Sequence, residues 1–306
     1  MIYHESITSD TESVIHPFGS ADVGGPDLAA FLGIRRDGRE QADSARSLLL
    51  TLLGELARPA GGAAWTQSMI EGLGLMGVSP QAARLAISRL AERGWLAGTR
   101  SGRRTRWEFT PALARLLDEG AARIYSFGTR DRPWDGRWLL VFVSVPERQR
   151  RLRSMMAVRL GWVGFGSLAK GVWVSPWPDR EAEALHLMGD LGVEGAMALT
   201  TDPTGTTDRA GIVGRSWDLD DLRGHYRRFL DGLDGNPPSD GASSARDLLS
   251  MVHAWRRFPV LDPGLPVELL PDEWPAAEAA ARFAQLRSRW GTAAAGWWRE
   301  TEEAFS

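Results

Sequence analysis

The stretch Ser79-Pro80-Gln81-Ala82-Ala83-Arg84-Leu85-Ala86-Ile87-Ser88-Arg89-Leu90-Ala91-Glu92-Arg93-Gly94-Trp95-Leu96, with its continuation to Phe109, decides how this chain is read. Ser79 has the short polar side chain that caps a helix. Pro80 suits the first helical position, where a backbone N–H would have no intrahelical partner. Ala83, Ala86, Ile87 and Leu90 recur at the spacing of one buried stripe. Gln81, Arg84, Leu85, Ser88 and Arg89 fall on the other side, and Gly94 is placed to close the helix. Trp95-Leu96-Ala97 and Trp107-Glu108-Phe109 then read as the strands of a hairpin with Gly102 at its tip. Ser79 through Arg106 hold seven arginines and one acid, Glu92, in a chain whose net charge is -3. A basic island on a mildly acidic molecule is the electrostatic footprint of a nucleic-acid binder.

Working outward, Leu48, Leu49, Leu52, Leu53 and Leu56 make the stripe of a first helix, ended by Pro59-Ala60-Gly61-Gly62. A second helix is expected over 66–73 and a fourth over 111–125. Three helices followed by a β-hairpin is the order of a winged helix-turn-helix, which we place at 44–128. In that arrangement Gln81, Arg84, Leu85, Ser88 and Arg89 face the major groove, where base edges are read. Arg100, Arg103, Arg104 and Arg106 lie on the wing and meet phosphates, which position rather than specify. The plainer account is a solvated, arginine-rich helix; the basic hairpin directly behind it favours DNA.

Residues 1–43 lack periodicity and read as a weakly ordered tail. Arg130-Asp131-Arg132-Pro133 reads as a linker. Beyond it, strands over 138–145, 163–165, 172–175 and 195–201 alternate with helices over 146–160 and 179–192. The order β-α-β-β-α-β predicts a ferredoxin-like domain at 134–206. Residues 207–306 read as an α-helical C-terminal domain, with helices over 219–230, 245–258 and 275–305. The fold class expected is therefore α+β and multidomain.

The length of 306 residues suits two or three domains, and 43% hydrophobic residues suffice for real cores. There is no cysteine, which excludes disulfides and thiolate metal sites and suits a cytoplasmic home. The five histidines are scattered without metal-ligand spacing, so no metal is expected. No signal peptide and no membrane-spanning run is read. No Gly-x-Ser-x-Gly elbow or Ser/His/acid set is present, so neither catalysis nor a cofactor is expected. Lys170, the single lysine, follows Gly161-Trp162-Val163-Gly164-Phe165-Gly166, but it precedes Gly171 rather than following the last glycine, so the phosphate-loop pattern fails. A tight turn and a cation held for a phosphate both remain open at this point.

Four blocks carry a wider resemblance. They are Ala45-Arg46-Ser47-Leu48 to Trp65-Thr66; Gln81 to Trp95-Leu96 with Gly102-Arg103-Arg104; Trp134-Asp135-Gly136-Arg137-Trp138 with Gly164-Phe165-Gly166 and Gly171-Val172-Trp173-Val174-Ser175-Pro176-Trp177; and His253-Ala254-Trp255-Arg256-Arg257-Phe258-Pro259 with Leu261-Asp262-Pro263-Gly264-Leu265-Pro266. In that order, over roughly residues 44 to 290, the chain resembles the PaaX family of bacterial transcriptional repressors of phenylacetic acid degradation. The resemblance implies a homodimer on double-stranded operator DNA, released when an aryl-acyl-CoA, typically phenylacetyl-CoA, binds. For such an effector the candidate residues are Arg137, Trp138, Lys170, Trp173, Trp177, His253, Trp255, Arg256 and Arg257. Indole rings would line an aryl pocket and guanidinium forks would take phosphates. Each has a structural alternative: Trp138 and Trp173 lie on apolar strands, and His253 sits on an apolar helix. A regulator of this type with an unrelated effector, such as a secondary-metabolite intermediate, is the competing reading. The central domain also resembles the small nuclease fold of CRISPR spacer acquisition. Those nucleases place an acid at the end of the first strand, and this chain has Val143-Ser144-Val145 there.

Overall fold

A computed structural model describes residues 44–128, 132–202, 208–235 and 237–306. The expected tail at 1–43 and the core of the expected linker lie outside these residues. The first unit opens with α1 (Ala45–Leu52), whose last turn widens into a π-helical segment, Leu53–Ala57. There follow β1 (Ala63–Trp65), α2 (Thr66–Leu75), α3 (Pro80–Glu92), β2 (Leu96–Ser101), β3 (Arg104–Phe109) and α4 (Pro111–Ser126). Capping explains the starts: the Ser47, Ala82 and Leu113 amides donate to the hydroxyls of Ser44, Ser79 and Thr110. Gly94, at φ 71°, ends α3, with Trp95 N–H returning to the Leu90 carbonyl at 3.0 Å. The three strands form an antiparallel sheet in the order β1-β3-β2, with Ala64 opposite Trp107 and Gly98 opposite Trp107 on its other side. The sequence reading missed β1, a three-residue strand whose partner lies far along the chain.

The second unit holds β4 (Trp138–Phe142), α5 (Arg150–Trp162), β5 (Gly166–Ala169), β6 (Val172–Ser175), α6 (Glu181–Asp190) and β7 (Met197–Thr201). Its sheet order, β5-β6-β4-β7, is fully antiparallel, as a ferredoxin-like β-α-β-β-α-β chain requires. Two expectations are corrected here. The helix expected over 146–160 starts only at Arg150, because residues 146–149 form a turn, with the Gln149 amide on the Pro146 carbonyl at 3.0 Å. The strand expected over 163–165 lies at Gly166–Ala169. Gly164, at φ 80°, ends α5, and Phe165 drops into the core, with its N–H on the Leu160 carbonyl. Opposite faces of the sheet have different neighbours. Leu139, Val141, Val143 and Trp173 pack under α5 and α6 through Met156, Leu160, Ala184 and Met188. Trp138 and Val174 face Val213, Leu265 and Leu269.

The third unit is helical: α7 (Arg209–Ser216), α8 (Leu219–Asp231), α9 (Gly241–Trp255), α10 (Phe258–Leu261) and α11 (Ala276–Ala304). The helix expected over 245–258 begins earlier, behind the capping box of Asp240 and Ser243, and stops at Trp255. The first and third units share one hydrophobic core. Leu49, Leu52, Leu73 and Leu90 belong to the same buried cluster as Leu248, Leu249, Trp255, Phe283 and Trp298. α9 and α11 pack on each other and on α2, and α9 also packs on α1. This explains why α1 is buried on every side from Ser47 to Leu52, not along one stripe.

Candidate functional site

On α3 the buried stripe is Ala83, Ala86, Ile87 and Leu90, and it rests on α1 and α2. The opposite face is in solvent: Gln81, Arg84, Leu85, Ser88 and Arg89 are all exposed, Leu85 by 51%. Ser88 Oγ donates to Glu92 Oε1 at 3.0 Å, so its hydroxyl is directed along the helix. Arg84, Arg89, Arg100 and Arg103 have no hydrogen-bond or ion-pair partner among the described residues. Beside α3 a groove of about 490 Å³ runs to the start of α1, lined by Ser44, Arg46, Leu85, Arg89, Glu92 and Arg93.

The hairpin is held at its base and open at its tip. Trp107 Nε1 donates to Thr66 Oγ1 at 2.9 Å, and that hydroxyl donates to the Thr105 carbonyl at 3.1 Å. Gly102, at φ 60°, makes the tip, a left-handed turn that a side chain would strain. Arg100, Arg103 and Arg104 are exposed around it. Arg106 lies over the Trp65 ring at 5.5 Å, and Arg104 Nη1 donates to the Ser306 carbonyl at 3.0 Å. The nine residues expected at a DNA surface therefore occupy one helix face and the adjoining hairpin.

The nine residues expected for an effector are not brought together. Trp138 and Trp173 point to opposite faces of the central sheet. Trp138 packs edge-on against Trp134 at 5.4 Å and stacks with Trp217 at 6.4 Å. Arg137 is ion-paired to its neighbour Asp135 at 2.7 Å, and Lys170 to Glu147 at 2.8 Å, both pairs largely in solvent. Trp177 is buried, donates Nε1 to the Gly264 carbonyl at 2.7 Å, and has Arg132 3.9 Å above its ring. His253, Trp255 and Arg256 are buried in or against the shared core. His253 Nδ1 is 2.9 Å from Thr51 Oγ1, Trp255 Nε1 donates to the Ile124 carbonyl at 3.1 Å, and Arg256 donates to Thr51 and Ser47. Burial first, and the neighbouring Arg256 second, hold the His253 imidazole down at about 3. Burial alone lowers Arg256 to about 9 and lowers the half-buried Arg257. At neutral pH His253 is uncharged and Arg256 still carries its proton.

Sequence reasoning missed a cleft of about 760 Å³ between α7 and the segment after Pro266. Arg209, Arg215, Trp217, Asp220, Glu268 and Leu270 are among its lining. Its walls come from segments some fifty residues apart in the chain, so no local pattern announces it. Two further buried polar joints were also invisible. Glu55, in the π-helical turn, accepts from Tyr125 Oη and from Arg287 Nε, the latter at 3.0 Å. Burial raises the Glu55 carboxyl despite the pull of Arg287. Arg180, lowered to about 10 by burial, donates Nη1 to the Val163 carbonyl at 2.5 Å and to the Pro263 carbonyl at 3.3 Å. Among the described residues no group of three or more His, Asp or Glu is placed to hold a metal ion, and no helix is long and apolar enough to cross a membrane.

An exposed basic helix face, a basic hairpin and a ferredoxin-like middle unit define a class of three-part α+β proteins, and comparison with known proteins narrows it. Residues 44–113 match the PaaX-like protein family, 131–213 the PaaX protein central Cas2-like domain, and 217–300 the PaaX-like protein C-terminal domain. The chain belongs to the PaaX family. It is 28% identical over 243 residues to the transcriptional repressor PaaX of Escherichia coli (strain K12), covering 76% of this chain and 75% of that protein. A solved structure, the uncharacterized protein Rv0674 from Mycobacterium tuberculosis, shares the fold. It matches with a TM-score of 0.58 and 22% identity over 84% of this chain and 98% of its own.

Proposed function

We propose that this protein is a DNA-binding transcriptional repressor, in which residues 44–128 act as a winged helix-turn-helix. α3 enters the major groove and the β2–β3 hairpin is the wing. The observation that carries the reading is the uninterrupted exposed surface of Gln81, Arg84, Leu85, Ser88 and Arg89 beside the arginines of the hairpin. Arg84, a planar fork on the outer face, is suited to guanine O6 and N7. Arg100, Arg103, Arg104 and Arg106 supply sequence-independent attraction to phosphates. A homodimer on a palindromic operator would set two copies of α3 ~34 Å apart, one helical turn of DNA. The protein works in the cytoplasm and turns over no substrate in this reading.

The effector in this proposal is an aryl-acyl-CoA such as phenylacetyl-CoA, which lowers operator affinity by binding better to the DNA-free state. One observation favours the second reading, an unrelated effector: Trp138, Trp173, Trp177, His253, Trp255 and Arg256 are all buried and do not face a common cavity. A gel shift on the protein's own promoter region, with and without phenylacetyl-CoA at fixed salt, separates the cases. Binding abolished by the thioester supports repressor and effector together. Binding indifferent to it keeps the repressor and removes this effector, and absence of specific binding removes the DNA reading.

A further inference from the structure

Ser47 and Thr51 stand one turn apart on α1, both buried, and so present two hydroxyls in a line. Arg256 follows the last residue of α9 and is 1% exposed. Its guanidinium spans the two hydroxyls, Nη1 to Thr51 Oγ1 at 2.8 Å and Nη2 to Ser47 Oγ at 2.5 Å. His253, on the last turn of α9, lies 2.9 Å from the same Thr51 oxygen. Thr51 Oγ1 accepts from Arg256, and its single proton goes to His253 Nδ1 or to the Ser47 carbonyl at 3.3 Å according to the imidazole tautomer, so in either case Thr51 joins α1 to α9.

A well-packed apolar side chain could bury as favourably as this cation. What the planar fork adds is geometry: two fixed donors meeting two fixed acceptors set both the rotation of α9 against α1 and its shift along it. α1 in turn packs directly on α3. In the other direction, the chain after Arg256 runs through the four residues of α10 to Pro263 and Gly264. Their carbonyls accept from Arg180 at 3.3 Å and from Trp177 at 2.7 Å, side chains of the central unit. One short segment is therefore fastened at both ends, each time by a buried side chain.

The geometry points to Arg256 as a positioning residue that holds the DNA-reading unit in register with the C-terminal helices and, through residues 256–264, with the central sheet. The DNA part of this statement rests on the function proposed above; the register part does not. The test is Arg256→Met, of similar length and without donors, compared with wild type by amide hydrogen exchange of residues 45–52 and by affinity for a promoter-region DNA fragment. The expected result is a folded protein by circular dichroism, with at least tenfold lower protection in α1 and at least tenfold weaker DNA binding. Arg256→Lys, which reaches only one hydroxyl, should fall between. A folded Arg256→Met with both quantities within twofold of wild type overturns the proposal. Lost protection in a protein whose wild type binds no DNA keeps the register role and discards the DNA reading. If Arg256→Met does not fold, Ser47→Ala removes one acceptor only. It should lower α1 protection and DNA affinity by severalfold, and wild-type values for both would again overturn the proposal.

Discussion

The arginines of α3 and the hairpin and the two arginines of the unit junctions, Arg180 and Arg256, are the same side chain used in opposite ways. Arg84, Arg89, Arg100 and Arg103 stand in solvent with no partner among the described residues, each with donors to offer. Arg256 is withdrawn from solvent and Arg180 is half-buried, and the cost of desolvation shows in guanidinium groups lowered to about 9 and about 10. The first set can exchange water for phosphate or base edges at little structural cost. The second set is committed to hydroxyls and carbonyls within the chain. Burial, not residue type, separates an arginine available to a partner from one spent inside the chain.

The comparison can be broken first at the shared core. Trp255 contacts Phe229, Phe258 and Phe283 at ring distances of 5.2, 5.1 and 4.8 Å. Trp255→Ala should cost about 3–5 kcal/mol in urea unfolding, with the α3 unit and the C-terminal helices melting together. Two separated transitions would show that the junction is not one core. Next comes the exposed set. Arg84→Ala should lose ~1–3 kcal/mol of operator affinity and relax the sequence preference. Arg103→Ala should weaken all sequences alike and flatten the salt slope by about one. If Arg84→Ala leaves discrimination intact, α3 is not the reading helix.

A third effect concerns pH at the buried junction. The His253 value is about 3 in the folded chain, against 6.5 for a free imidazole, so the unfolded chain takes up the proton first. Stability present above pH 6.5 should therefore fall as pH drops toward 3, by up to ~1.4 kcal/mol per unit. The raised carboxyls of Glu55 and Asp262 act with the opposite sign at the acid end. Comparing His253→Asn with wild type isolates the imidazole, and an unchanged pH slope would refute its part. The smallest effect should come from Arg58 and Asp118, paired at 2.7 Å in solvent. Arg58→Ala should cost less than about 1 kcal/mol, which sharpens the contrast with the buried pairs.

Much of α3 and its hairpin was legible because the signals are local: Ser79 and Pro80 at the start, Gly94 at the end, Gly102 at the tip. The element order of the central unit followed from short apolar runs between helical segments, although its second strand lies at Gly166–Ala169 and not at 163–165. What could not be read is what each apolar face meets. Leu48 through Leu53 is apolar at every position but Thr51, which already hints at a helix covered on all sides. Nothing in those residues says that part of the cover is α9, some two hundred positions later. Among the expected site residues, the α3 face needed only a helical wheel. The effector set was assembled from residue types without knowledge of sheet register, and register is what sends Trp138 and Trp173 to opposite sides.

That shared core also fixes an order of events during synthesis. α1, α2 and α3 leave the ribosome early, yet the apolar cover of this group includes α9 and the 29-residue α11, made some two hundred residues later. Until those helices arrive, part of the leucine surface of α1 has no lid and must wait exposed. Closing contacts so distant in sequence is slow compared with local helix formation. A ribosome stalled before residue 241 would therefore present the arginine-rich helix and hairpin on a support that still lacks α9 and α11.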